Sequence, residues 1–498
     1  MNILDGGDLT GDLDVTTDVV IVGSGPAGAT VARGLARGGA RVTVVEEGPH
    51  VDPGAYPEDS FSAMALLYRD LGTTVTLGRP PMPYLQGRAV GGTSVINGAI
   101  SWRLPRDVHT AWLAADPALE EALPWERVAA ALDRVEADLS ITATPPEIAG
   151  PHNLLLGRGA DALGIDNRPI HRNVHGCRGL GRCLQGCPEG HKRSMDRTYL
   201  PDACRAGAEI WSRVTALRVL TEGDRAVGID ARAAGGGRLR IRARRAVVLA
   251  ASAVQTPVLL LASGLGEGPV GRHFQCHPGV SMAGRFPDPV TLWRGATQGH
   301  EVIGLRHEGI KLEALGYDMA IAAGRLKSVG APLTRGIADL AHWANWGAAI
   351  RAESHGRVTR GFGGGPRVRF SLSREDMVKV RRGVRVLGEI MLAAGAEYVT
   401  PGVHGFADKV TDRASMARFE EEGPLDPGAY SMAVTHMFGT CRMGSDPGRS
   451  VVRPDFRHHG VEGLYVADSS VFPTSLGVNP QTSIIALAMI CAERVLDG

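Results

Sequence analysis

A glycine-rich segment near the N-terminus has the spacing of a phosphate-binding turn. The run from Gly23 to Gly28 reads G-S-G-P-A-G, which fits the pattern G-x-G-x-x-G. In such a turn Gly23 permits the tight bend, Gly25 lets backbone approach a pyrophosphate, and Gly28 allows close packing of a helix on a strand. About 20 residues further on, Glu46 is placed to accept a hydrogen bond from a ribose hydroxyl group. The segment predicts a dinucleotide site without distinguishing NAD from FAD.

Three cysteines lie close together in a second glycine-rich segment. Cys177, Cys183 and Cys187 follow the pattern C-x5-C-x3-C. Thiolates so closely spaced in a reducing compartment favour ligation of a metal or cluster over disulfides. Two alternatives are zinc, with His175 or His191 as the fourth ligand, and free thiols packed into the fold.

The pattern of apolar residues predicts the elements that must position these groups. Apolar runs at 18–22 and 41–45 predict parallel strands, and the segment 27–35 between them predicts a helix. Together they form one βαβ unit around the glycine turn. Further predicted elements, in chain order, are a helix over 124–139, a strand at 247–249, a helix near 257–263, a strand at 464–466 and a helix that starts at Pro480 and continues over 481–496.

Composition excludes several classes of protein. Of 498 residues, 44% are hydrophobic and 21% are charged, as in an ordinary globular protein. The net charge of +1 provides no field that would attract nucleic acid or an anionic membrane, and 5% aromatic residues provide little base-stacking surface. No apolar run approaches the length of about 18 residues that a membrane span requires. The acidic N-terminal segment lacks the features of a signal peptide, so we expect a cytoplasmic protein.

Two more segments resemble the signatures of the glucose–methanol–choline (GMC) family of flavin oxidoreductases. The first covers 87–97, with the residues GRAVGGTSVIN, and the second covers 252–266, with the residues SAVQTPVLLLASGLG. With the glycine turn and the C-terminal segment, the resemblance extends over most of the chain outside 276–430. It implies that the dinucleotide is FAD.

The resemblance also implies which residues bind the flavin. Small residues let backbone pass against a flat ring system, with N–H and hydroxyl groups available to its polar edge. The implied cofactor-binding residues are Gly23, Gly25, Gly28, Glu46, Gly91, Gly92, Thr93, Ser94, Asn97, Val214, Asp468, Pro480 and Gln481. The positive end of the helix that starts near Pro480 would stabilise negative charge on the reduced ring.

Oxidation of an alcohol requires a base for the hydroxyl proton and an acceptor for the hydride. Histidine is the usual base because it titrates near neutrality, and a flavin accepts the hydride at N5. His436, in the segment THMFGTC, matches the catalytic histidine of the family, and Asn479, in GVNPQ, matches the second member of the pair. An amide cannot act as a base, so Asn479 would orient the substrate. The resemblance therefore predicts oxidation of CH–OH to a carbonyl; a non-redox lyase with bound FAD is the alternative.

The cysteine pattern also resembles a segment of other family members. It is similar to the segment that holds a [3Fe-4S] cluster in bacterial sugar dehydrogenases, and to a patch without an implied cluster in long-chain alcohol oxidases. With a cluster, electrons would pass to a separate redox partner; without one, oxygen or a diffusible acceptor would reoxidise the flavin. An apolar alcohol is favoured over a free sugar as the substrate.

The expected fold class is α/β, or α+β overall. A Rossmann-like FAD-binding domain would be assembled from the discontinuous segments 1–275 and 431–498, the second of which carries the catalytic pair. A lid and cysteine-rich insertion would occupy about 105–200 of the first segment. The residues 276–430 would form a substrate-binding domain with an antiparallel sheet and helices.

Overall fold

The computed structural model describes residues 1–326 and 329–498. Runs rich in Val, Ile and Leu form strands whose faces are covered by helices. The strands, in chain order, are β1 (Ile3–Asp5), β2 (Leu13–Val22), β3 (Val42–Val45), β4 (Ile141–Ala143), β5 (Asn167–Pro169), β6 (His171–Asn173), β7 (Glu209–Ser212), β8 (Val214–Glu222), β9 (Arg225–Ala233), β10 (Arg238–Leu249), β11 (Gln275–Arg285), β12 (His300–Val302), β13 (Ile310–Leu315), β14 (Trp343–Ile350), β15 (Arg357–Arg360), β16 (Pro366–Arg369), β17 (Tyr398–Thr400), β18 (Met432–Phe438) and β19 (Leu464–Val466).

The helices lie between these strands along the chain, singly or in groups. They are α1 (Pro26–Arg37), α2 (Ser60–Leu67), α3 (Arg106–Ala115), α4 (Leu119–Ala122), α5 (Trp125–Asp138), α6 (Pro146–Ala149), α7 (Pro151–Ala162), α8 (Tyr199–Arg205), α9 (Ser252–Ala262), α10 (Met319–Gly324), α11 (Ala331–Ala338), α12 (Arg374–Ala393), α13 (Arg413–Glu422) and α14 (Gln481–Asp497). Short 3₁₀ turns connect several of them, including one at Gly92–Val95 in the first signature and one at Cys183–Gln185 in the cysteine segment.

The first sheet has the strand order β1-β7-β3-β2-β10-β9-β8, with β19 beside β10. The neighbours β1, β7, β3, β2 and β10 run parallel to one another, and β19 runs parallel to β10. Strands β8, β9 and β10 form an antiparallel meander. Strand β2 pairs with β3 through residues 19–22 and 42–45, and α1 connects the two strands. Because β19 comes from the C-terminal segment, this Rossmann-like layer is assembled from discontinuous parts of the chain, as predicted.

The second sheet is antiparallel and has the strand order β17-β11-β14-β13-β12-β5, with β18 beside β11. Helix α12 packs on it through Leu387 and Ile390, which share an apolar core with Trp346 of β14. Strands β5 and β18 belong to this sheet although they lie outside 276–430. The domain limits given above remain predictions, but segments on both sides of 276–430 contribute strands to the second layer.

Helix α14 is apolar on most of its surface, and this allows it to be buried in the first layer. Ile485, Leu487 and Ile490 are buried, and the helix packs against α1 and α5. Within residues 1–326 and 329–498, no helix is both long enough and apolar enough to cross a membrane.

Helix α9 begins five residues earlier than the sequence predicted, and Pro257 lies inside it. A proline inside a helix removes the hydrogen bond to the carbonyl group four residues before it. Here that carbonyl belongs to Ala253, and it accepts a hydrogen bond of 2.6 Å from the hydroxyl group of Thr440. A side chain distant in sequence thus satisfies the acceptor that the proline leaves unpaired.

The closing helix begins one residue later than predicted. Helix α14 starts at Gln481, and Pro480 is the residue that precedes it. The carbonyl group of Pro480 accepts the first helical hydrogen bond from the N–H of Ile484, at 2.8 Å. Pro480 therefore initiates the helix from outside its first turn.

Gly28 is expected to be intolerant of any side chain. A Cβ atom at this position would lie 1.9 Å from the carbonyl oxygen of Gly23, whereas one at Gly11 would meet nothing within 4 Å. Because backbone cannot yield as a flexible side chain does, Gly28→Ala should lower the free energy of unfolding by about 3 kcal/mol. Urea titration measures this, with Gly11→Ala as the matched control. Equal midpoints for the two variants would contradict the close packing.

Candidate active site

The glycine turn between β2 and α1 approaches the first signature segment. Gly23 has a φ of +99°, in the left-handed region that glycine adopts without strain. A Cβ atom on Gly92 would lie 2.7 Å from the Cα atom of Gly25. Because neither residue has a side chain, the two backbone segments and the N-terminus of α1 line one cavity. The unpaired N–H groups at that helix end can face phosphate groups.

Glu46 follows β3 and joins it to the glycine turn. Its Oε2 atom accepts hydrogen bonds from the backbone N–H of Ser24 at 3.0 Å and from the Ser24 hydroxyl group at 2.7 Å. Its Oε1 atom accepts one from the N–H of Gly48 at 2.9 Å. Burial raises the pKa of Glu46 above its usual value, although these donors oppose the change. Glu46 therefore holds the turn as well as lining the cavity.

The cavity has a volume of about 980 Å³ and is lined by both sheets and the segments between them. It brings together most of the site residues that the sequence implies. Those that line it are Gly23, Gly25, Glu46, Gly92, Thr93, Ser94, Asn97, Val214, His436, Asp468, Asn479, Pro480 and Gln481. Gly28 and Gly91 do not line it. Gly28 packs against the turn, and the N–H of Gly91 donates to the hydroxyl group of Ser24 at 3.0 Å.

Asp468 and Gln481 connect the two signatures to the C-terminal segment. Asp468 accepts hydrogen bonds from the N–H of Ser252 at 3.0 Å and the hydroxyl group of Thr256 at 2.5 Å, so it fixes the start of α9. Burial raises the pKa of the Asp468 carboxyl group. Asn97 donates from Nδ2 to Oε1 of Gln481 at 2.5 Å. The first signature is thereby attached to the N-terminus of α14.

His436 and Asn479 meet in the cavity although they come from different elements. The strand pair β11–β18 has a bulge at His436, because Thr435 pairs with His277 and Met437 pairs with Cys276. His436 adopts a φ of +50°, in the left-handed region, and the bulge turns its ring toward Asn479, which precedes α14. The distance from Asn479 Nδ2 to His436 Nε2 is 3.2 Å.

Two buried neighbours of this pair were not identified from the sequence. Nδ1 of His277 lies 3.0 Å from Nδ1 of His436. The ammonium group of Lys311 donates to Oδ1 of Asn479 at 2.5 Å. Both residues lie on strands of the motif-poor region, so no pattern in the sequence marks them. Burial lowers the pKa of His436 to about 3, and the charge of Lys311 contributes to this change.

The three cysteines of the C-x5-C-x3-C segment line one small pocket together with His191 and Arg172. The guanidinium group of Arg172 lies against two of the thiols, at 3.1 Å from Sγ of Cys183 and 3.8 Å from Sγ of Cys177. Among residues 1–326 and 329–498, no group of three or more His, Cys, Asp or Glu side chains is placed to hold a metal ion. The predicted ligation by Cys177, Cys183 and Cys187 therefore has no support in this arrangement.

Comparison with known proteins identifies the family. Residues 64–279 and residues 352–488 match the N-terminal and C-terminal parts of GMC oxidoreductases. The chain belongs to the GMC oxidoreductase family. Residues 17–84 of this GMC oxidoreductase also match the pyridine nucleotide-disulphide oxidoreductase family, in the region of the glycine turn.

Similar proteins cover nearly the whole chain. A GMC-type oxidoreductase of Mycobacterium tuberculosis described as uncharacterised is 36% identical over 494 residues, which are 96% of this chain and 76% of the relative. A long-chain-alcohol oxidase of Arabidopsis thaliana is 27% identical over 518 residues, covering 97% of this chain and 67% of the relative. The crystal structure of pyridoxine 4-oxidase from Mesorbium loti superposes with a TM-score of 0.71 at 18% identity, covering 96% of this chain and 98% of the other, and shows the same fold.

Family membership supports FAD as the cofactor, and the residues of the cavity fit it. The glycine turn and the N-terminus of α1 suit a pyrophosphate. Nε2 of Gln481 is buried without a hydrogen-bond partner among the described residues, so it is available to a ligand in the cavity. The N-terminus of α14 supplies positive potential beside it. No comparable fit supports an iron–sulfur cluster at the cysteine pocket.

Replacing Glu46 should weaken FAD binding. Glu46→Gln keeps the side-chain size, but its amide group cannot accept from both Ser24 and Gly48 as the carboxylate does. The sequence predicts that Glu46 also accepts a hydrogen bond from a ribose hydroxyl group, and loss of that charge-assisted bond, worth about 2 kcal/mol, would lower the affinity about 30-fold. The flavin-to-protein ratio and an FAD titration of the apoprotein measure it. Glu58→Gln, at a side chain that is 86% exposed, is the control; equal flavin content in the two variants would contradict the role of Glu46.

Proposed function

We propose that this GMC oxidoreductase uses FAD to oxidise a CH–OH group to a carbonyl group. The observation that carries the proposal is the 3.2 Å approach of His436 and Asn479 in the cavity that the glycine turn also lines. An imidazole beside an amide suits removal of a hydroxyl proton while the oxygen is held in place. FAD, when bound, supplies the acceptor for the hydride.

His436 serves as the base in this proposal. Burial lowers the pKa of His436 to about 3, so near neutral pH the ring is in the neutral form that a base requires. The hydroxyl group of the substrate donates to Nε2, which accepts the proton as the O–H bond breaks. Asn479 donates from Nδ2 to the substrate oxygen and holds it through the change from hydroxyl to carbonyl.

An apolar alcohol is the proposed substrate class. Both apolar and polar side chains line the cavity, and the polar ones include Gln298, Glu313, Arg325 and Arg360. The apolar ones include Met64, Leu85, Leu184 and Ile321, together with the ring of Tyr317. The resemblance to a long-chain-alcohol oxidase supports the same class. An alcohol with an extended hydrocarbon part would bury that part against these side chains.

Oxygen is the proposed electron acceptor. The relative from Arabidopsis is named an oxidase, and the cysteine pocket shows no metal-holding group among the described residues. We assign no electron step to a cluster. The alternative, a dehydrogenase that passes electrons through a [3Fe-4S] cluster to a redox partner, requires iron and acid-labile sulfide in protein purified without oxygen.

Replacing His436 should abolish turnover without releasing FAD. His436→Asn keeps a polar side chain but removes the base, so the rate of flavin reduction should fall about 10³-fold. Anaerobic bleaching of the flavin absorbance after addition of a long-chain alcohol measures this step. His307→Asn, at a side chain that is 77% exposed, is the control.

Two outcomes of that experiment would contradict the proposal. A wild-type protein that binds FAD but cleaves a substrate without any bleaching is a non-redox lyase. A His436→Asn variant that reduces its flavin as fast as the wild type leaves His436 without the role of base.

The pH dependence of activity should show no protonation of His436 near neutrality. A base is lost as the pH falls through its pKa, and burial has lowered the pKa of His436 to about 3. We therefore expect kcat/KM to lack an acidic limb from this residue between about pH 5 and pH 8. Initial rates over that range measure it. An inflection near the ordinary histidine value, about 6.5, would contradict the expectation.

A further inference from the structure

A buried lysine on β13 contacts the amide of the candidate pair. The side chain of Lys311 is 7% exposed, and its ammonium group has three N–H donors. Each donor has one acceptor: Oδ1 of Asn479 at 2.5 Å, Oε2 of Glu313 at 2.9 Å and Oε2 of Glu301 at 3.0 Å. An ammonium group only donates, so the oxygen of the amide must face Lys311. The NH₂ group therefore faces His436.

The contacts around the two histidine rings contain one donor too many. The N–H of Gly477 lies 2.9 Å from Nε2 of His277. The two Nδ1 atoms lie 3.0 Å apart, and Nδ2 of Asn479 lies 3.2 Å from Nε2 of His436. Two neutral rings carry one ring hydrogen each. At one end of this chain of contacts, a ring N–H group must therefore face a second N–H group, either that of Gly477 or that of Asn479.

Two arrangements of the ring hydrogens are available. In the first, they lie on Nδ1 of His277 and Nε2 of His436, which satisfies the N–H of Gly477 but leaves the nitrogen that faces Asn479 protonated. In the second, they lie on Nδ1 of His436 and Nε2 of His277, which satisfies Asn479. Only the second leaves Nε2 of His436 free to accept the proton of a hydroxyl group.

We propose that Lys311 is a positioning residue that holds His436 in the base-competent tautomer by fixing the amide of Asn479. With Oδ1 held by Lys311, Asn479 presents only N–H groups to Nε2, which disfavours a hydrogen there. Thr435 favours the same tautomer, because its hydroxyl group donates to the carbonyl oxygen of His277 at 3.0 Å and its oxygen then faces Nδ1 of His436 at 3.4 Å. This inference rests on the proposed role of His436 as a base.

The carboxylates that pair with Lys311 hold it in place. Glu301 is fully buried and also accepts from Nε1 of Trp102 at 2.8 Å and from Nε of Arg168 at 2.9 Å. Burial opposes the charge of Lys311, but Glu301 and Glu313 outweigh it and raise the pKa of the ammonium group. Lys311 is therefore a charged donor that its two carboxylate partners hold beside Asn479.

The test removes the donor and the charge separately. Lys311→Met combined with Glu313→Gln removes the donor without leaving that carboxylate unpaired. The amide of Asn479 can then turn, its oxygen can accept from a protonated Nε2, and the first arrangement satisfies every contact. Lys311→Gln combined with Glu313→Gln keeps an uncharged N–H donor and should retain the second arrangement.

The direct readout is the tautomer of His436 in the oxidised holoenzyme. Protein labelled with ¹⁵N in its histidine rings distinguishes protonated from unprotonated ring nitrogens by chemical shift, and His436→Asn assigns the signals. We expect Nδ1–H in the wild type and in the Gln variant, and Nε2–H in the Met variant. In the Met variant kcat should fall about 10²-fold with a much smaller change in KM and unchanged FAD content, and the Gln variant should recover much of the loss.

A matched control comes from an ion pair at the surface. Arg242→Met with Glu222→Gln removes an arginine–glutamate contact of 3.5 Å between two exposed side chains that do not line the cavity and should change neither the tautomer nor kcat. A wild-type enzyme with its hydrogen on Nε2 of His436, or a Met variant that keeps Nδ1–H, overturns the role of Lys311. If instead His436→Asn leaves flavin reduction unchanged while the tautomer follows the Met and Gln variants as expected, the proposed base fails and the positioning by Lys311 stands.

Discussion

The pairing of buried charges is the constraint on which the candidate active site depends. A charge removed from water is tolerated only where hydrogen bonds and opposite charges replace its hydration. Lys311, Glu301 and Glu313 satisfy this requirement together, and the third donor of the lysine extends it to Asn479. The charged groups of the second sheet hold Lys311, and Lys311 sets the orientation of the Asn479 amide. Through that amide they set the tautomer of His436.

The same region shows why two layers are needed for one site. His436 lies on β18, which pairs with β11 of the second sheet, whereas Asn479 precedes α14, which packs on the first layer. The bulge at His436 turns the ring out of the regular alternation of the strand. The cavity between the layers is therefore lined by the glycine turn and Glu46 of the first layer, and by His436 and Asn479 from the junction of both.

The cysteine segment is connected to the cofactor side of the cavity through Lys192. Its buried ammonium group donates to the carbonyl oxygens of Val95 at 2.6 Å, Asn97 at 2.9 Å and Cys183 at 2.7 Å. Val95 and Asn97 belong to the first signature, so the cysteine segment supports the backbone that lines the cavity. The glycines of the segment have a separate reason, because Gly176, Gly179, Gly181, Gly186 and Gly190 all adopt a positive φ.

The amino-acid sequence by itself determined the βαβ unit and the glycine turn with Glu46, because these depend on local spacing. Its two signature segments carried the family resemblance, and that resemblance implied the pair His436 and Asn479. The sequence could not reveal that β5 and β18 join the second sheet, that a bulge aims His436, or that Thr440 satisfies the carbonyl left open by Pro257. Nor could it reveal His277 and Lys311 beside the pair. Only the tertiary structure decided these features, because strand pairing and buried hydrogen bonds join residues far apart in the chain. No periodicity or motif around one partner indicates which residue the other partner is.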